Sequence, residues 1–371
     1  MKLNRLFLIA CLLFAGNKTT LAQEEKDSLL TVNLEEVEVS ALRAKVNVLD
    51  APLSLSVETI SPDWAGPSRS LQEYLAAIPG VFTLNSSNYA QDLRISIRGF
   101  GARAGFGIRG IKLVVDGIPE TTPDGQGQLD NLPLSLIREI SVIRGPSALR
   151  YGNASGGVIA INTLSPGGEG LNSVSVLTGG FGQRQVSVTK GFGDVTNTYL
   201  LHFTSQKIKG FREHSSVENN ILNFRSSHQL SDKTKLNFQL NHVSSPIAQD
   251  PGGLNLADFQ SDPFAARGLN VIYNAGERLT HSKVGASVVS EISAKMVLNA
   301  YGFYAGRDFD AFLPFENGGV VDLNRTYGGQ GSSLTYDSGD WNFQLGYDWA
   351  SQNDHRQRRN GPRHESGRHI E

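Results

Sequence analysis

Cysteine is nearly absent from this chain. Cys11 is the only one in 371 residues, and it falls in a segment that reads as removable. A disulfide scaffold is thereby excluded. An excess of one charge is missing as well. With 34 Lys and Arg against 36 Asp and Glu, the formal net charge is -2, so no global basic field points to nucleic acid. The eight histidines are scattered without ligand spacing, which argues against a metal centre. No Ser-His-Asp array, carboxylate pair or cysteine nucleophile stands out, so no catalytic residue, enzyme activity or cofactor is expected. Proline is sparse at 14 residues, whereas glycine reaches 40. That much glycine without a collagen period signals many tight turns and close backbone approaches.

What is present starts with an export signal. Lys2 and Arg5 precede an apolar run from Leu6 to Gly16, and Thr20-Leu21-Ala22 ends on small residues. Residues 1–22 are expected to be a signal peptide cut near Ala22, the apolar run being too short to span a bilayer as a helix. Leu8-Ile9-Ala10-Cys11 has the residue types of a lipoprotein signal, but the apolar run continues past Cys11. Residues 23–45 form a polar lead-in. Within it "LEEVEVSA" alternates valine with glutamate, as a linker would or as a strand adding to a partner's sheet edge would.

Residues 46–165 read as an α+β domain of ordinary size. "SRSLQEYLAAIPGV" has a Ser cap, a helix-period apolar face and a Pro-Gly stop, and short strands separated by Gly or Asp-Gly follow it. From residue 172 to 355 the pattern changes to period-2 alternation. "WNFQLGYDWAS" places Trp341, Phe343, Leu345, Tyr347 and Trp349 on one face and polar residues on the other. Roughly eight such segments, joined alternately by short turns and longer loops, carry the pattern of an outer-membrane barrel. A soluble β-sandwich also alternates, but the export signal and the aromatic faces favour the barrel.

The stretch "RAGFGIRGIKLVVDGIPE" contains Gly105-x-Gly107-x-x-Gly110. A dinucleotide-binding loop must open a helix whose first amides meet the phosphates. Here a β-branched run follows Gly110, so that reading fails. Together, "LRISIRGFG", "IKLVVDGIPE" and "LPLSLIREISVIRGPSALRYGNASGGVIAINT" closely resemble the plug domain of TonB-dependent outer-membrane receptors. The resemblance implies an α+β plug domain followed by a transmembrane antiparallel β-barrel, incomplete here at about eight strands of an expected 22. It also implies that Arg98, Arg144 and Arg150 make structural ion pairs and hydrogen bonds from the plug to the barrel wall, with facing carboxylates as the expected partners.

By the same resemblance, Glu36, Val37, Glu38, Val39, Ser40 and Ala41 form the TonB box, grasped by TonB through main-chain pairing. TonB works with its inner-membrane energising complex. "PETTPDGQGQLD", "GFREHSS" and "DPGGLNLADFQSDP" look like ferric-citrate and related ferric-siderophore receptors. The loop Thr122–Gln128 would then face the ligand. Gln126 and Gln128 could hydrogen-bond an anionic chelate and Arg103 could pair with its charge, although a polar plug apex with no ligand role fits the same residues. The implied function is import of a ferric chelate across the outer membrane of a Gram-negative cell, with lipid around the barrel. Other scarce ligands (cobalamin, another metal chelate, a glycan) or a non-transporting structural β-protein are the alternatives. The tail, residues 356–371, shows no alternation and reads as irregular, which suggests a C-terminally truncated chain.

Overall fold

Short strands broken by glycine turns build the first body, and long alternating strands build the second. The structure, a computed structural model, describes residues 53–61, 69–105, 107–167, 171–339 and 341–361. The expected signal segment, the lead-in and the Glu36–Ala41 motif lie outside the described residues. The first body holds β1 (Ser54–Thr59), β2 (Val81–Leu84), β3 (Arg94–Ile97), β4 (Ile108–Arg109), β5 (Ile111–Val115), β6 (Ile118–Pro119), β7 (Gln126–Gly127), β8 (Ile137–Arg144) and β9 (Gly157–Thr163). A sheet with the order β1-β8-β9-β5-β6 forms its frame, with β5 and β9 parallel and the other neighbours antiparallel. Two small ribbons pair β2 with β3 and β4 with β7.

Local sequence explains these elements. β5 turns into β6 through Asp116 and Gly117, whose φ values of 47° and 79° are the two positive angles of a type I′ hairpin. Alternation in β3, β5, β8 and β9 sends Ile95, Ile97, Ile111, Leu113, Ile140, Val142, Ile159 and Ile161 into one core, joined there by Leu71, Leu75 and Ile78. Each such side chain contributes about 1.5–3 kcal/mol by leaving water. The expected helix is only one turn long, Gln72–Leu75, with Ser70 Oγ accepting from the Gln72 N–H at 3.2 Å. Gly107 has φ 61°, and a Cβ there would come within 2.7 Å of the Gln126 amide nitrogen. This glycine therefore allows the close β4–β7 pairing, and β5, not a helix, starts directly after Gly110.

Gly157 opens β9 opposite Arg144 of β8 at a φ of 143°, with a built Cβ only 2.2 Å from the Ile143 carbonyl oxygen. Gly157→Ala should therefore lower the stability of this body by about 2–4 kcal/mol. The check is the thermal midpoint of the purified protein; an unchanged midpoint would mean the backbone there yields more easily than its geometry says.

The second body is a nine-stranded antiparallel meander in chain order. Its strands are β10 (Asn172–Thr178), β11 (Arg184–Gly193), β12 (Asn197–Ile208), β13 (Val217–Ser231), β14 (Thr234–Gln249), β15 (Gly276–Ser293), β16 (Met296–Phe312), β17 (Val320–Asp337) and β18 (Asn342–Arg359). Side chains alternate as in a barrel wall. On β11, Gln185, Ser187 and Thr189 are buried, whereas Val186 and Val188 are 44% and 41% exposed on the other face. Polar inward and apolar outward inverts the rule for a water-soluble sheet and is the pattern of a wall facing lipid. Connections alternate as well. One end carries the short turns 194–196, 232–233, 294–295 and 338–341, and the other carries 179–183, 209–216, 250–275 and 313–319. β15, β17 and β18 each run for 18 residues. That is well beyond the about 9–11 residues that cross a bilayer at a tilt.

Two expectations shift. Among the described residues the wall has nine strands, where roughly eight segments were counted from alternation, and the ambiguous "MVLNAYGFYAG" opens β16. The last strand also runs to Arg359, which is in register with Val320, so residues 356–359 are strand and not irregular tail. In "HRQRR" both faces are polar, and a hydrophobic alternation cannot be seen where neither face is hydrophobic.

Candidate functional site

The seam between the α+β body and the inner face of the sheet concentrates the molecule's buried charge. Four wall cations reach across it. Arg225 on β13 meets Asp116 at 2.5 Å, and Lys283 on β15 meets Glu120 at 2.6 Å. Arg307 on β16 holds Asp130 bidentately at 3.0 and 2.5 Å. Arg325 on β17 stands 3.5 Å from Asp124, and its Nε and Nη2 donate to Asp354 of β18 at 2.8 and 2.7 Å. Polar contacts extend the seam. Asn241 donates to the Asn131 carbonyl at 3.1 Å, Ser135 and His202 are 3.0 Å apart, and Asn88 and Gln91 donate to Asp250 at 2.9 and 3.1 Å.

Register arranges this wall. His281, Arg307, Arg325 and Asp354 sit opposite one another on four consecutive strands. Two guanidiniums side by side repel, so Arg307 and Arg325 are tolerable in one row because each holds a carboxylate. On the other side of the seam, the carboxylates are fixed by hydrogen bonds within the first body. Asp116 accepts from the Thr163 N–H at 2.8 Å, which locks the β5–β6 hairpin to β9 while its other oxygen faces Arg225.

The expected direction of these pairs was the reverse. Arg98 and Arg144, read as plug arginines reaching wall carboxylates, both donate instead to Ser54 Oγ, at 2.9 and 3.0 Å, and Arg144 also donates to Ser56 Oγ at 2.7 Å. Arg144 is in register with Ser54, so its side chain runs along β1 rather than outward. Arg150 is exposed at the end of the short helix Ala148–Tyr151. The wall cations carry a sequence signal that was available: in "NFRSS", "HSKVG", "AGRDF" and "LNRTY" a lone cation occupies a polar-face position inside a strand, where it needs a buried partner.

Electrostatics follow from this packing. Burial pushes the Glu120 carboxyl up, but the Lys283 ammonium, the His281 ring and hydrogen bonds from Lys283 and Asn131 outweigh it and hold the group below the usual carboxylate range. Burial likewise raises Asp130, and the Arg307 guanidinium brings it down below that range. Among the described residues no ion pair holds Asp92: burial and then the Asp130 charge push its carboxyl up to about 7, and the Arg307 guanidinium offsets them only in part.

The apex residues fall apart into three situations. Gln126 lies in β7, half-buried, with its Oε1 3.5 Å from Arg109 Nη2. Gln128 is buried at 9% exposure and presents nothing to a surface ligand. Arg103 is exposed. Arg109 and Asp124, which sequence reading passed over, are the charged groups around Gln126. Arg109 Nη2 stands 3.8 Å from the Asp124 carboxylate, which lies against Arg325. Burial raises the Asp124 carboxyl, but hydrogen bonds from Thr122 and the Gln126 N–H, with Arg325 and Arg109, hold it below its ordinary value.

Two spaces open along the seam. One of about 130 Å³ lies against Tyr89, Ser135, His202, Asn219 and Glu277. The other, about 650 Å³, lies toward the short-turn end between Asp116, Tyr151 and Asn162 on one side and Glu291, Lys295 and Tyr301 on the other.

Residues 48–158 match the family model of the TonB-dependent Receptor Plug Domain. The chain is 30% identical over 127 residues to the hemin receptor of Yersinia enterocolitica, a match covering 34% of this chain and 18% of that protein. It is 33% identical over 125 residues to the ferric enterobactin receptor of Pseudomonas aeruginosa, covering 30% of this chain and 16% of that one. Among solved structures it resembles the ferric citrate transporter FecA in the unliganded form, with a TM-score of 0.68, 21% identity, and coverage of 84% of this chain and 49% of that one. The ferric yersiniabactin uptake receptor FyuA of Yersinia pestis gives a TM-score of 0.62 at 15% identity, over 82% and 50%. The chain thus spans about half the length of these structures. At such identities their likeness establishes the fold.

Proposed function

We propose that this chain, whose plug-domain match and nine-stranded wall carry the fold of a TonB-dependent receptor, serves the import of a ferric chelate, ferric citrate or a siderophore, across the outer membrane. The observation that carries this reading is the seam. The plug is held by discrete ion pairs and polar contacts, several of them at the long-loop end, and it meets the wall through few apolar side chains. An interface of that kind can be released and remade, whereas a fused apolar core cannot. Most of the similar proteins bind or import iron compounds by name (hemin, ferric enterobactin, ferric citrate and ferric yersiniabactin), while a vitamin B12 transporter and a copper transporter also match.

In this reading the long loops and the plug apex capture the chelate outside, with Arg103, Arg109 and Gln126 as polar groups within reach of solvent. Gln128 is left out because it is buried. Glu36–Ala41 is the TonB box. TonB pairs with it through the main chain and pulls with the force of its inner-membrane energising complex. The pull reaches β1 first. β1 is a sheet edge that pairs with β8, and Arg98 and Arg144 tie its first residue, Ser54, to the plug. Residues 1–22 direct export to the outer membrane, where lipid covers the apolar outer face of the sheet. The chelate brings its own iron, and neither a cofactor nor a catalytic step is assigned. The matched receptors and transporters are not enzymes, and neither is this chain.

The test is uptake of radiolabelled iron from ferric citrate and from ferric enterobactin, by cells expressing the protein with and without TonB. Uptake should appear with TonB for at least one chelate and fall to background without it, while binding to the cells stays the same. Equal uptake in both strains would overturn the reading.

A further inference from the structure

We propose that Asp124 is a resident stand-in for a ligand carboxylate: it bridges the plug guanidinium of Arg109 and the wall guanidinium of Arg325, and a carboxylate-bearing chelate that takes this pair frees the 122–126 turn from the wall. The proposal rests on the import reading and names the ligand chemistry and the coupling at the same apex.

The two oxygens of Asp124 do different work. Oδ1 belongs to the turn, accepting from Thr122 Oγ1 at 2.6 Å and from the Gln126 N–H at 3.2 Å. The turn is closed by the Thr122 N–H on the Gln126 carbonyl and the Gly125 N–H on the Thr122 carbonyl, both at 2.9 Å. Oδ2 faces the two bodies, 3.5 Å from Arg325 Nη2 and 3.8 Å from Arg109 Nη2. A charge-assisted hydrogen bond of this kind is usually about 2.7–2.9 Å, the range in which Arg325 holds Asp354. Asp124 is therefore the loosely held partner of Arg325, the one that can leave.

Arg325 has a donor to spare. Its side chain is 6% exposed, and Nη1 is buried with no hydrogen-bond partner among the described residues. Beside it, Asp124 and Asp354 are 34% and 33% exposed. An incoming carboxylate would satisfy the free donor and replace the long contact with a short one. The class of ligand follows from the fork geometry of guanidinium, which matches planar carboxylates, and from the fact that both present occupants are carboxylates. Strand alternation adds a second cationic step. β18 places Arg356 and Arg358 on the face that carries Asp354, opposite Leu323 and Val321. Arg356 and Arg358 thus share the face that carries this site and suit a ligand with more than one negative charge, while Arg359 pairs with Asp322.

The experiment uses purified full chain, with citrate and ferric citrate as probes and sulfate at matched ionic strength as control. Spin labels at Pro123→Cys and Gln357→Cys report the distance from turn to wall. Citrate should lengthen that distance in the parent, and sulfate should not. Asp124→Asn should already show the long distance without citrate and bind citrate about fivefold tighter, the gain of losing a partly exposed competing ion pair. Arg325→Lys, which keeps the charge but loses the fork, should bind citrate more weakly. The proposal is overturned if citrate leaves the distance unchanged, if sulfate lengthens it equally, or if Asp124→Asn binds citrate no tighter. TonB is absent from this assay, so a failure here is distinct from a failure of uptake.

Discussion

Lys283→Met should loosen the plug from the wall by about 3–5 kcal/mol, because it strands a buried carboxylate. Lys283 Nζ donates to Glu120 Oε2 at 2.6 Å and to the Pro119 carbonyl at 2.7 Å. The two side chains are 3% and 6% exposed. Asn131 holds the other Glu120 oxygen at 2.5 Å, and its own carbonyl accepts from wall residue Asn241. Without Lys283 the Glu120 charge keeps one neutral partner and loses the ammonium that offsets its burial, so its carboxyl should move up. Denaturant unfolding of the purified protein, with protease cleavage of the plug as a second signal, would read the loss. Glu120→Leu combined with Lys283→Met should recover most of it, since removing both charges leaves none unpaired. If the double variant were as unstable as the single one, the cost would come from lost packing of the lysine stem against Phe303, over whose ring Nζ lies at 5.1 Å.

Val39→Pro should abolish iron uptake, by about tenfold or more, without weakening chelate binding. The expected contact between residues 36–41 and TonB is main-chain pairing. Proline removes the N–H at that position and bars extension of the strand. Losing even one or two such hydrogen bonds outweighs a weak grip. Val39→Ser keeps the backbone donor and should transport nearly as well as the parent, which separates a backbone contact from a side-chain one. Uptake and binding measured on the same cells decide it. Normal uptake in Val39→Pro would place the TonB contact elsewhere in the lead-in.

The class of both bodies was legible in the residues. Asp116-Gly117 between β-branched runs specifies a tight hairpin, and Leu71, Tyr74, Leu75 and Ile78 specify a helical face. Apolar residues at every second position from Trp341 to Trp349, four of the five aromatic, specify a strand with one apolar side. Each of these signals is local: the period of a side chain about its own backbone is the same whatever the chain later packs against. Where both faces are polar, as in "HRQRR", the period loses its contrast, and β18 therefore extends past its expected end.

Charge pairing across the seam was not legible, because it depends on residues more than 100 positions apart. Glu120 and Lys283, or Asp130 and Arg307, become neighbours only when the plug seats against the sheet. The arginines that looked like wall contacts, Arg98 and Arg144, were claimed first by hydroxyls on β1. From its own sequence the chain determined where strands, turns and outward apolar faces would form, since hydrophobic period and left-handed turn residues act over a few positions. The tertiary structure alone decided which cation meets which carboxylate. A buried charge takes the nearest partner in space, and that distance is set by the register of the wall strands and by how the plug sits against them.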